Sequence, residues 1–347
     1  MRPRLRRLRP VLCGNLGTRS LTFKLHFSVL PDDLEIMDAF LNFRATDDLR
    51  VRAGIFKVPF SRYRIQSFQR LTLVDWAITS GYFGAERQVG FAFHNGYEKP
   101  APIEYEVGVF TGQNTRASHA VKLSGIYGET APNRSDLTGP DPYDGLHPEI
   151  VAHVAYNSGG IDTLTDTDFT GGPVRYSVGV STAWDIRPER AQDLAFRLAP
   201  EFLLKAYGFS MSVFANLGLV QMGDGMDDTR PGLLGAQAQA SYLIAGRYEL
   251  AMRYAFLQVL DALRSDARDR ADAIIAGVAD PDEKSDLERR YSKAGDLKRR
   301  HELSVGINVY IIGNQLKWQS DFAWLPRTTA SGTFNDIRFR TQVQLAF

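Results

Sequence analysis

The sequence has no long apolar run. None of its 347 residues lies in a stretch approaching the roughly 18 apolar residues that a membrane-spanning helix needs. Mean hydropathy is slightly negative, at -0.23. These absences exclude a helical membrane protein. They do not exclude a membrane β-barrel, because lipid-facing residues of a barrel strand alternate with polar lumen-facing ones and leave a weak hydropathy signal.

The sequence also has little cysteine and almost no net charge. Cys13 is the single cysteine, so an intramolecular disulfide framework is excluded. The 41 Lys and Arg residues nearly balance the 40 Asp and Glu residues, which gives a formal net charge of +1. No overall field therefore favours nucleic acid or an acidic partner, and any argument from charge has to be local.

Signatures of enzyme chemistry are missing as well. The 6 histidines show no metal-ligand spacing, and the sequence contains no serine elbow and no phosphate-loop lysine. His153 falls on the inner face of a predicted strand, where a hydrogen-bonded lining histidine is a simpler interpretation than a catalytic base. The sequence predicts no enzyme activity, no catalytic residue, no metal and no cofactor.

The N-terminus shows no export signal. Its first residues are basic, but the apolar stretch that follows is shorter than the roughly 7 to 15 apolar residues of a signal peptide. Leu12 is too large for the position before a lipidated cysteine. We therefore expect residues 1–20 to be unstructured or a wrongly assigned start, and the barrel domain to span 21–347.

Alternation of apolar and polar residues is what the sequence has in abundance. The terminal segment 336–347 places Ile337, Phe339 and Val343 on one face and Arg338 and Arg340 on the other. Its length suits a strand tilted across a bilayer, which takes about 9 to 11 residues, although an edge strand of a soluble sheet would alternate too. About fourteen such segments follow one another, so the sequence predicts an all-β fold, a large transmembrane antiparallel β-barrel.

Connections between these segments are alternately short and long. Short turns such as 46–48 would face the periplasm, and long connections would be external loops or plugs in the lumen. We expect the insert 61–85 to fold into the lumen as a constriction that contains Arg62, Tyr63, Arg64 and Arg70; an external flap is the alternative. The charged segment 260–300 predicts a partly helical loop, most simply a solvated surface helix.

One block suggests a family. Arg52-Ala-Gly-Ile-Phe-Lys-Val-Pro-Phe60 precedes the insert, and Glu86-Arg-Gln-Val-Gly-Phe-Ala-Phe93 follows it. This arrangement resembles the phosphate-selective porins O and P, in which a strand ending in Gly-x-Phe-Lys-x-Pro-Phe leads into a long loop and then an Arg-x-x-Gly strand. The blocks 248–254 and 306–318 look similar too.

The resemblance implies a homotrimer of barrels, each of about sixteen strands, in the bacterial outer membrane, with loops that fold into the lumen. It also implies that the terminal aromatic residue, Phe347, is an assembly signal for the outer-membrane insertion machinery. Against the family pattern, we expect the chain to be N-terminally truncated, without the signal peptide and the first two strands.

If the apolar face of each strand contacts lipid, a set of basic side chains on the opposite face points into the barrel. They are the expected lining of an anion pathway: Arg44, Arg50, Arg52, Arg175, Arg197, Lys205, Arg253, Lys317, Arg338 and Arg340. Acidic residues on the same faces could instead pair with them in ladders that brace the wall.

From these patterns we expect a passive outer-membrane channel for small anions such as phosphate or polyphosphate. The alternative is a non-conducting envelope barrel that acts as a scaffold or a surface-binding protein. The expected partners are the lipid bilayer, small anions, two further copies of the chain and the insertion machinery, with no nucleic acid.

Overall fold

The computed structural model describes residues 5, 7–30, 33–84, 87–96, 101–112, 126, 148–186, 194–221 and 229–346. They form one antiparallel sheet of 15 strands, in which strands that follow one another in the chain pair side by side. The strands are β1 (Val11–Leu16), β2 (Thr18–Leu30), β3 (Asp33–Arg44), β4 (Arg50–Lys57), β5 (Arg87–His94), β6 (Ile103–Phe110), β7 (Glu149–Asn157), β8 (Arg175–Asp185), β9 (Leu194–Ala206), β10 (Phe209–Gln221), β11 (Thr229–Ile244), β12 (Tyr248–Val259), β13 (Arg299–Ile312), β14 (Leu316–Thr329) and β15 (Gly332–Leu345).

The outward face of the sheet is apolar and exposed, the reverse of a soluble protein. On β12, Leu250 and Met252 are each 55% exposed, whereas Glu249 and Arg253 are 0% and 1% exposed. Apolar side chains on the outside and charged side chains on the inside fit a sheet that meets lipid with its outer face. The predicted transmembrane β-barrel fold is confirmed.

Two hairpins end in tight turns. Tyr207 and Gly208 have φ of 52° and 86°, and Ala245 and Gly246 have φ of 51° and 65°. Positive φ at both central residues is the geometry of a type I′ turn, whose twist matches that of the flanking strands. These turns fix the register of the β9–β10 and β11–β12 hairpins.

The N-terminal part corrects two predictions. Residues 1–20 were expected to lack structure, yet β1 pairs with β2 from Val11 opposite His26 to Leu16 opposite Thr18. That prediction is wrong for the strand residues 11–16 and 18–20, and the described residues form 15 strands. β1 escaped the sequence analysis because its side chains are exposed at five of six positions, so burial imposes no alternation on it.

The two edges of the sheet are β1 and β15. Because paired strands alternate in direction, an odd number of strands makes β1 and β15 run the same way. Both edges have a side-chain link to one carboxylate: Arg7, just before β1, and Arg340 of β15 lie 3.9 and 3.3 Å from Asp75. We call the region between β1 and β15 the seam.

Short helices occupy two connections. The insert between β4 and β5 contains α1 (Arg62–Ile65), a 3-10 turn (Phe68–Arg70) and α2 (Ser80–Phe83). The connection between β12 and β13 contains α3 (Asp261–Ala276) and α4 (Pro281–Tyr291), and all described side chains of α4 are at least partly exposed. Among the described residues, no helix has the length and apolar character to cross a membrane.

Candidate functional site in the barrel interior

The insert begins directly after β4, and the lysine of the family-like motif fixes its start. Lys57 Nζ donates to the carbonyl oxygens of Arg64, Ile65 and Gln66 at 3.0, 2.9 and 2.8 Å. These carbonyls belong to the C-terminal end of α1, where helical hydrogen bonds run out and a cation is favoured. Lys57 therefore caps α1 and ties the start of the insert to β4.

Arg62 anchors the insert to the wall. Its Nε donates to Glu201 of β9 at 2.9 Å, and its Nη1 donates to Glu104 of β6 at 3.0 Å. Nη2 lies 3.0 Å from Nε2 of His153, and the whole residue is 1% exposed. Burial alone would lower the pKa of Arg62, but the carboxylates of Glu201 and Glu104 raise it above the ordinary value. Arg62 is therefore a permanently charged buried anchor.

Other residues of the insert contact a different part of the wall. Tyr63 Oη accepts from Nη1 of Arg253 on β12 at 2.8 Å, and the backbone N–H of Ile78 donates to Glu302 on β13 at 2.8 Å. Burial raises the pKa of Tyr63 far above its ordinary value, so its hydroxyl stays protonated. Because Arg62 contacts β6 and β9 while Tyr63 and Ile78 contact β12 and β13, the insert lies across the inside of the curved sheet.

A second segment, 158–174 between β7 and β8, also lies inside the sheet. Lys205 Nζ of β9 donates to the carbonyl oxygens of Asp162, Thr165 and Thr167 at 2.7, 2.6 and 3.1 Å. Since strands alternate in direction, this segment starts at the end of the barrel where 207–208 and 245–247 form tight turns. It therefore enters from the end opposite to that of the insert.

The two inward segments meet at Asp166. Its carboxylate accepts from the side chain of Gln66 at 2.9 Å and from the backbone N–H of Thr72 at 3.0 Å, both in the insert. Gln239 of β11 donates to the same carboxylate at 2.9 Å. The sequence analysis missed this segment. Its length, between the end of β7 at Asn157 and the start of β8 at Arg175, was a usable signal, because other connections at the same end of the barrel are short turns.

Most basic side chains predicted to line an anion pathway are buried and paired. Lys205 and Lys317 donate to backbone carbonyls of the inward segments, while Arg44, Arg50 and Arg338 are less buried. At the paired positions this arrangement favours ion pairs that brace the wall over side chains that face an anion pathway. The pairs are Arg52 with Glu106, Arg175 with Asp168, Arg197 with Glu149, Arg253 with Glu302, and Arg340 with Asp321.

Another group of basic residues lies beside the seam, and one of its members, Lys24, keeps more exposure. Asp38 of β3 is 2.8 Å from His26 Nδ1, 2.5 Å from Arg87 Nε and 3.7 Å from Lys24 Nζ. The Lys24 side chain is 39% exposed. His26 and Asp38 are paired directly across β2 and β3, so one carboxylate is shared by several basic groups.

The contacts of Asp75 extend this group to the sheet edges, and we call the whole set the seam cluster. Within it, eight Lys and Arg side chains accompany three carboxylates, although the whole chain is nearly neutral. The sequence analysis named only Arg64, Arg338 and Arg340 of these. Arg338 belongs to the set because it lies two residues before Arg340 on the same partly buried face of β15. The members of the seam cluster are Arg7, Arg9, Lys24, Lys57, Arg64, Arg87, Arg338 and Arg340, with Asp38, Asp75 and Asp321.

Other ligand chemistry finds no support in the part of the chain that the structure describes. No group of three or more His, Cys, Asp or Glu side chains there could hold a metal ion. The buried histidine that contacts Arg62, His153, has its other ring nitrogen 2.9 Å from Ser181 Oγ. Both ring nitrogens thus serve the packing of the insert.

Comparison with protein families supports the resemblance seen in the motifs. Residues 3–144 match the family model of the phosphate-selective porin O and P. The matched part contains β1 to β6, the motif around Lys57 and the insert. The family resemblance is therefore confirmed there. No curated protein sequence matches the chain.

The fold is that of solved outer-membrane porins. The outer membrane channel DcaP of Acinetobacter baumannii is similar with a TM-score of 0.56 and 13% identity, over 98% of this chain and 84% of that chain. OprB of Pseudomonas putida is similar with a TM-score of 0.55 and 12% identity, over 98% of this chain and 87% of that chain. At these identities the likeness concerns the fold.

Proposed function

We propose that this chain, a porin of the bacterial outer membrane, is a passive channel for small anions such as phosphate or polyphosphate. The observation that carries the proposal is the seam cluster, with eight Lys and Arg side chains and three carboxylates. Guanidinium groups stay charged, and their fork of N–H donors matches phosphate oxygens. The side chains of Arg7 and Lys24 are 25% and 39% exposed, and water weakens contacts at such groups, which lets an anion leave as well as enter.

The path that we propose runs along the seam cluster, between the insert and strands β1, β2 and β15. The two inward segments, which Arg62 and Lys205 hold in place, lie in the interior. In this proposal the insert narrows the passage. Arg62 and Tyr63 position the insert, whereas Arg64 of the seam cluster stands beside the path.

Assembly is part of the same proposal. The family resemblance supports a homotrimer and recognition of the terminal aromatic residue by the insertion machinery. Phe347 lies outside the described residues, but the strand before it, β15, keeps the predicted alternation, with Phe339 exposed and Arg340 partly buried.

The proposal is tested by reconstituting the folded chain in planar lipid bilayers. We expect stepwise ion conductance and, under a potassium chloride gradient, a reversal potential of the sign for anion preference. Raising the ionic strength should reduce that preference, because salt screens partly exposed charges. Conductance with cation preference would contradict the proposed selectivity.

The packed interior favours a second candidate, a non-conducting barrel that serves as a scaffold or surface-binding protein. The two inward segments meet each other at Asp166, inside the curved sheet. If folded, membrane-inserted protein gives no current at either polarity, this second function replaces the first.

A further inference from the structure

We propose that the outer face of β12 to β15 binds the phosphate group of a lipid headgroup in the outer leaflet of the membrane. Its central residue is Arg299, at the end of the barrel where the long connection between β12 and β13 leaves the strands. In outer-membrane barrels the longer loops are extracellular, so this end meets the outer leaflet. The inference concerns the lipid-facing surface and does not depend on ion conduction.

Strand register arranges the outward side chains of these four strands in rows across the sheet. One row joins Tyr254, Leu303, Trp324 and Ile337, which are between 42% and 70% exposed. We call it the aromatic row. Each further row toward the long connection lies two residues, or about 7 Å, along the strands. Successive rows therefore lie at successively shallower levels of the membrane.

Two rows beyond the aromatic row, the outward side chains are polar. This outermost row joins Gln258, Arg299, Thr328 and Thr333. His301 of β13 lies between the two rows, on the same outward face. A change from apolar to polar side chains along a lipid-facing surface marks the level where hydrocarbon ends and headgroups begin.

The rings of the aromatic row direct their polar atoms toward this boundary. Oη of Tyr254 lies 2.9 Å from Nδ1 of His301, and Nε1 of Trp324 donates to Oδ1 of Asn335 at 3.2 Å. Both partners lie one row nearer to the long connection. Rings with one apolar end and one wet end collect at membrane interfaces. These contacts therefore place Arg299 at the level of the lipid headgroups.

Arg299 is available to a ligand at this level. Its side chain is exposed and has no hydrogen bond or ion pair with any residue that the structure describes. Strands β12 to β15 are described throughout, and Arg299 is the one Lys, Arg, Asp or Glu on their outward positions. Asp336 of β15 has the inward parity and lies 3.7 Å from Arg327. No carboxylate on these outward faces therefore competes for Arg299.

A lipid phosphate matches the charge and the donors of this surface. Its oxygens accept from the guanidinium of Arg299, whose fork of N–H groups fits phosphate geometry. Gln258 and Thr328, the neighbours of Arg299 in its row, add an amide and a hydroxyl. If Nδ1 of His301 accepts from Tyr254, Nε2 is a further donor. The acyl chains lie along the aromatic row and the apolar side chains below it, contacts that a free anion cannot make.

Native mass spectrometry of the folded, full-length chain in detergent counts bound lipid directly. The probe is lipid A, a phosphorylated glycolipid, and its control is the same lipid A with the phosphate groups removed. We expect lipid A to bind about fivefold more tightly, the contribution of one basic side chain at a membrane surface. Inorganic phosphate at equal concentration should not displace lipid A. Equal binding of the two lipids, or displacement by inorganic phosphate, would overturn the inference.

Variants test whether Arg299 is the centre of the site. Arg299→Gln should weaken the binding of lipid A by about fivefold and leave the binding of the phosphate-free lipid unchanged. Arg299→Lys should keep most of the affinity for lipid A, because it keeps the charge. Arg247→Gln is the matched control, because Arg247 is an exposed arginine beside Tyr248 at the opposite end of the barrel. The inference fails if Arg247→Gln weakens the binding of lipid A as much as Arg299→Gln does.

The lipid site and the channel function fail in different ways. A chain that binds lipid A through Arg299 but gives no current keeps the lipid site and loses the channel function. A chain that conducts anions but binds the two lipids equally keeps the channel function and loses the lipid site. Heat-modifiable migration of each variant shows that it is folded before binding is measured.

Discussion

At the scale of residues, the inward direction of each charged side chain follows from its own strand, whereas the residue that it pairs with is far away in the sequence. The alternation of side chains along a strand predicts that Arg253 turns inward. It predicts the same for Glu201, which accepts a hydrogen bond from Arg62. It cannot predict that Arg62 contacts Glu201 at a sequence separation of 139 residues. This is why the sequence analysis named the basic side chains of the wall but left open whether they face anions or brace the barrel. The structure adds the seam cluster through contacts between sheet edges and insert.

Replacing Arg62 by Ala should destabilise the barrel, because Glu104 and Glu201 would stay buried without their cation. Removing one partner of a buried ion pair lowers the free energy of unfolding by about 3 to 5 kcal/mol. Urea unfolding in lipid vesicles measures the change. Adding Glu104→Gln and Glu201→Gln to the variant should recover part of the loss. Arg289→Ala on the exposed surface of α4 is the control, with an expected change within about 0.5 kcal/mol. An equal loss in both single variants would show that Arg62 is no anchor.

At the scale of elements, strands and tight turns followed from periodicity, whereas the inward segments did not. The insert was recognised by its length and by the motif that precedes it, and the structure explains the motif lysine as a cap of α1. Segment 158–174 has neither regular alternation nor a helical period. Its position depends on Lys205 and Arg175, which are later in the chain.

Deleting residues 66–80 should raise the single-channel conductance, because this stretch carries the 3-10 turn and the contacts with Asp166, Arg253 and Glu302. Segment 158–174, the other inward segment, would remain, so we expect a wider channel that is still partly obstructed. Deleting α4, on the connection between β12 and β13, is the control for loop shortening. An unchanged conductance after the insert deletion, with the protein folded, would mean that the insert does not set the width.

At the scale of the whole molecule, the sheet is a meander whose neighbours in space are neighbours in the chain, which is why alternation and turn signals predicted its order. The exception is the seam, where β1 lacks a clear pattern and the edges connect through side chains. Exposure of β15 reflects this position: Ile337 and Val343 are 70% and 72% exposed, more than residues of paired inner strands such as Val213, at 37%.

Removing Phe347 should lower the fraction of the chain that reaches the membrane in a folded form, if the terminal aromatic residue is the assembly signal that the family resemblance implies. The measurement is the heat-modifiable fraction recovered from outer membranes. Phe347→Tyr is the control, because it keeps a terminal aromatic ring. If the shortened chain inserts as well as the parent, β15 has only a structural role.

The central claim is that anions pass along the seam cluster, and the reversal potential of a charge-reversed channel tests it most directly. Arg338 and Arg340 are two residues apart on β15, so their charges lie about 7 Å apart along the strand. The parent should prefer anions under a salt gradient, and Arg338→Glu/Arg340→Glu should shift the potential toward cations. Lys284→Glu/Arg289→Glu, the same charge change on α4, should leave it unchanged. A cation-selective parent, or equal potentials in parent and Arg338→Glu/Arg340→Glu, would contradict the account.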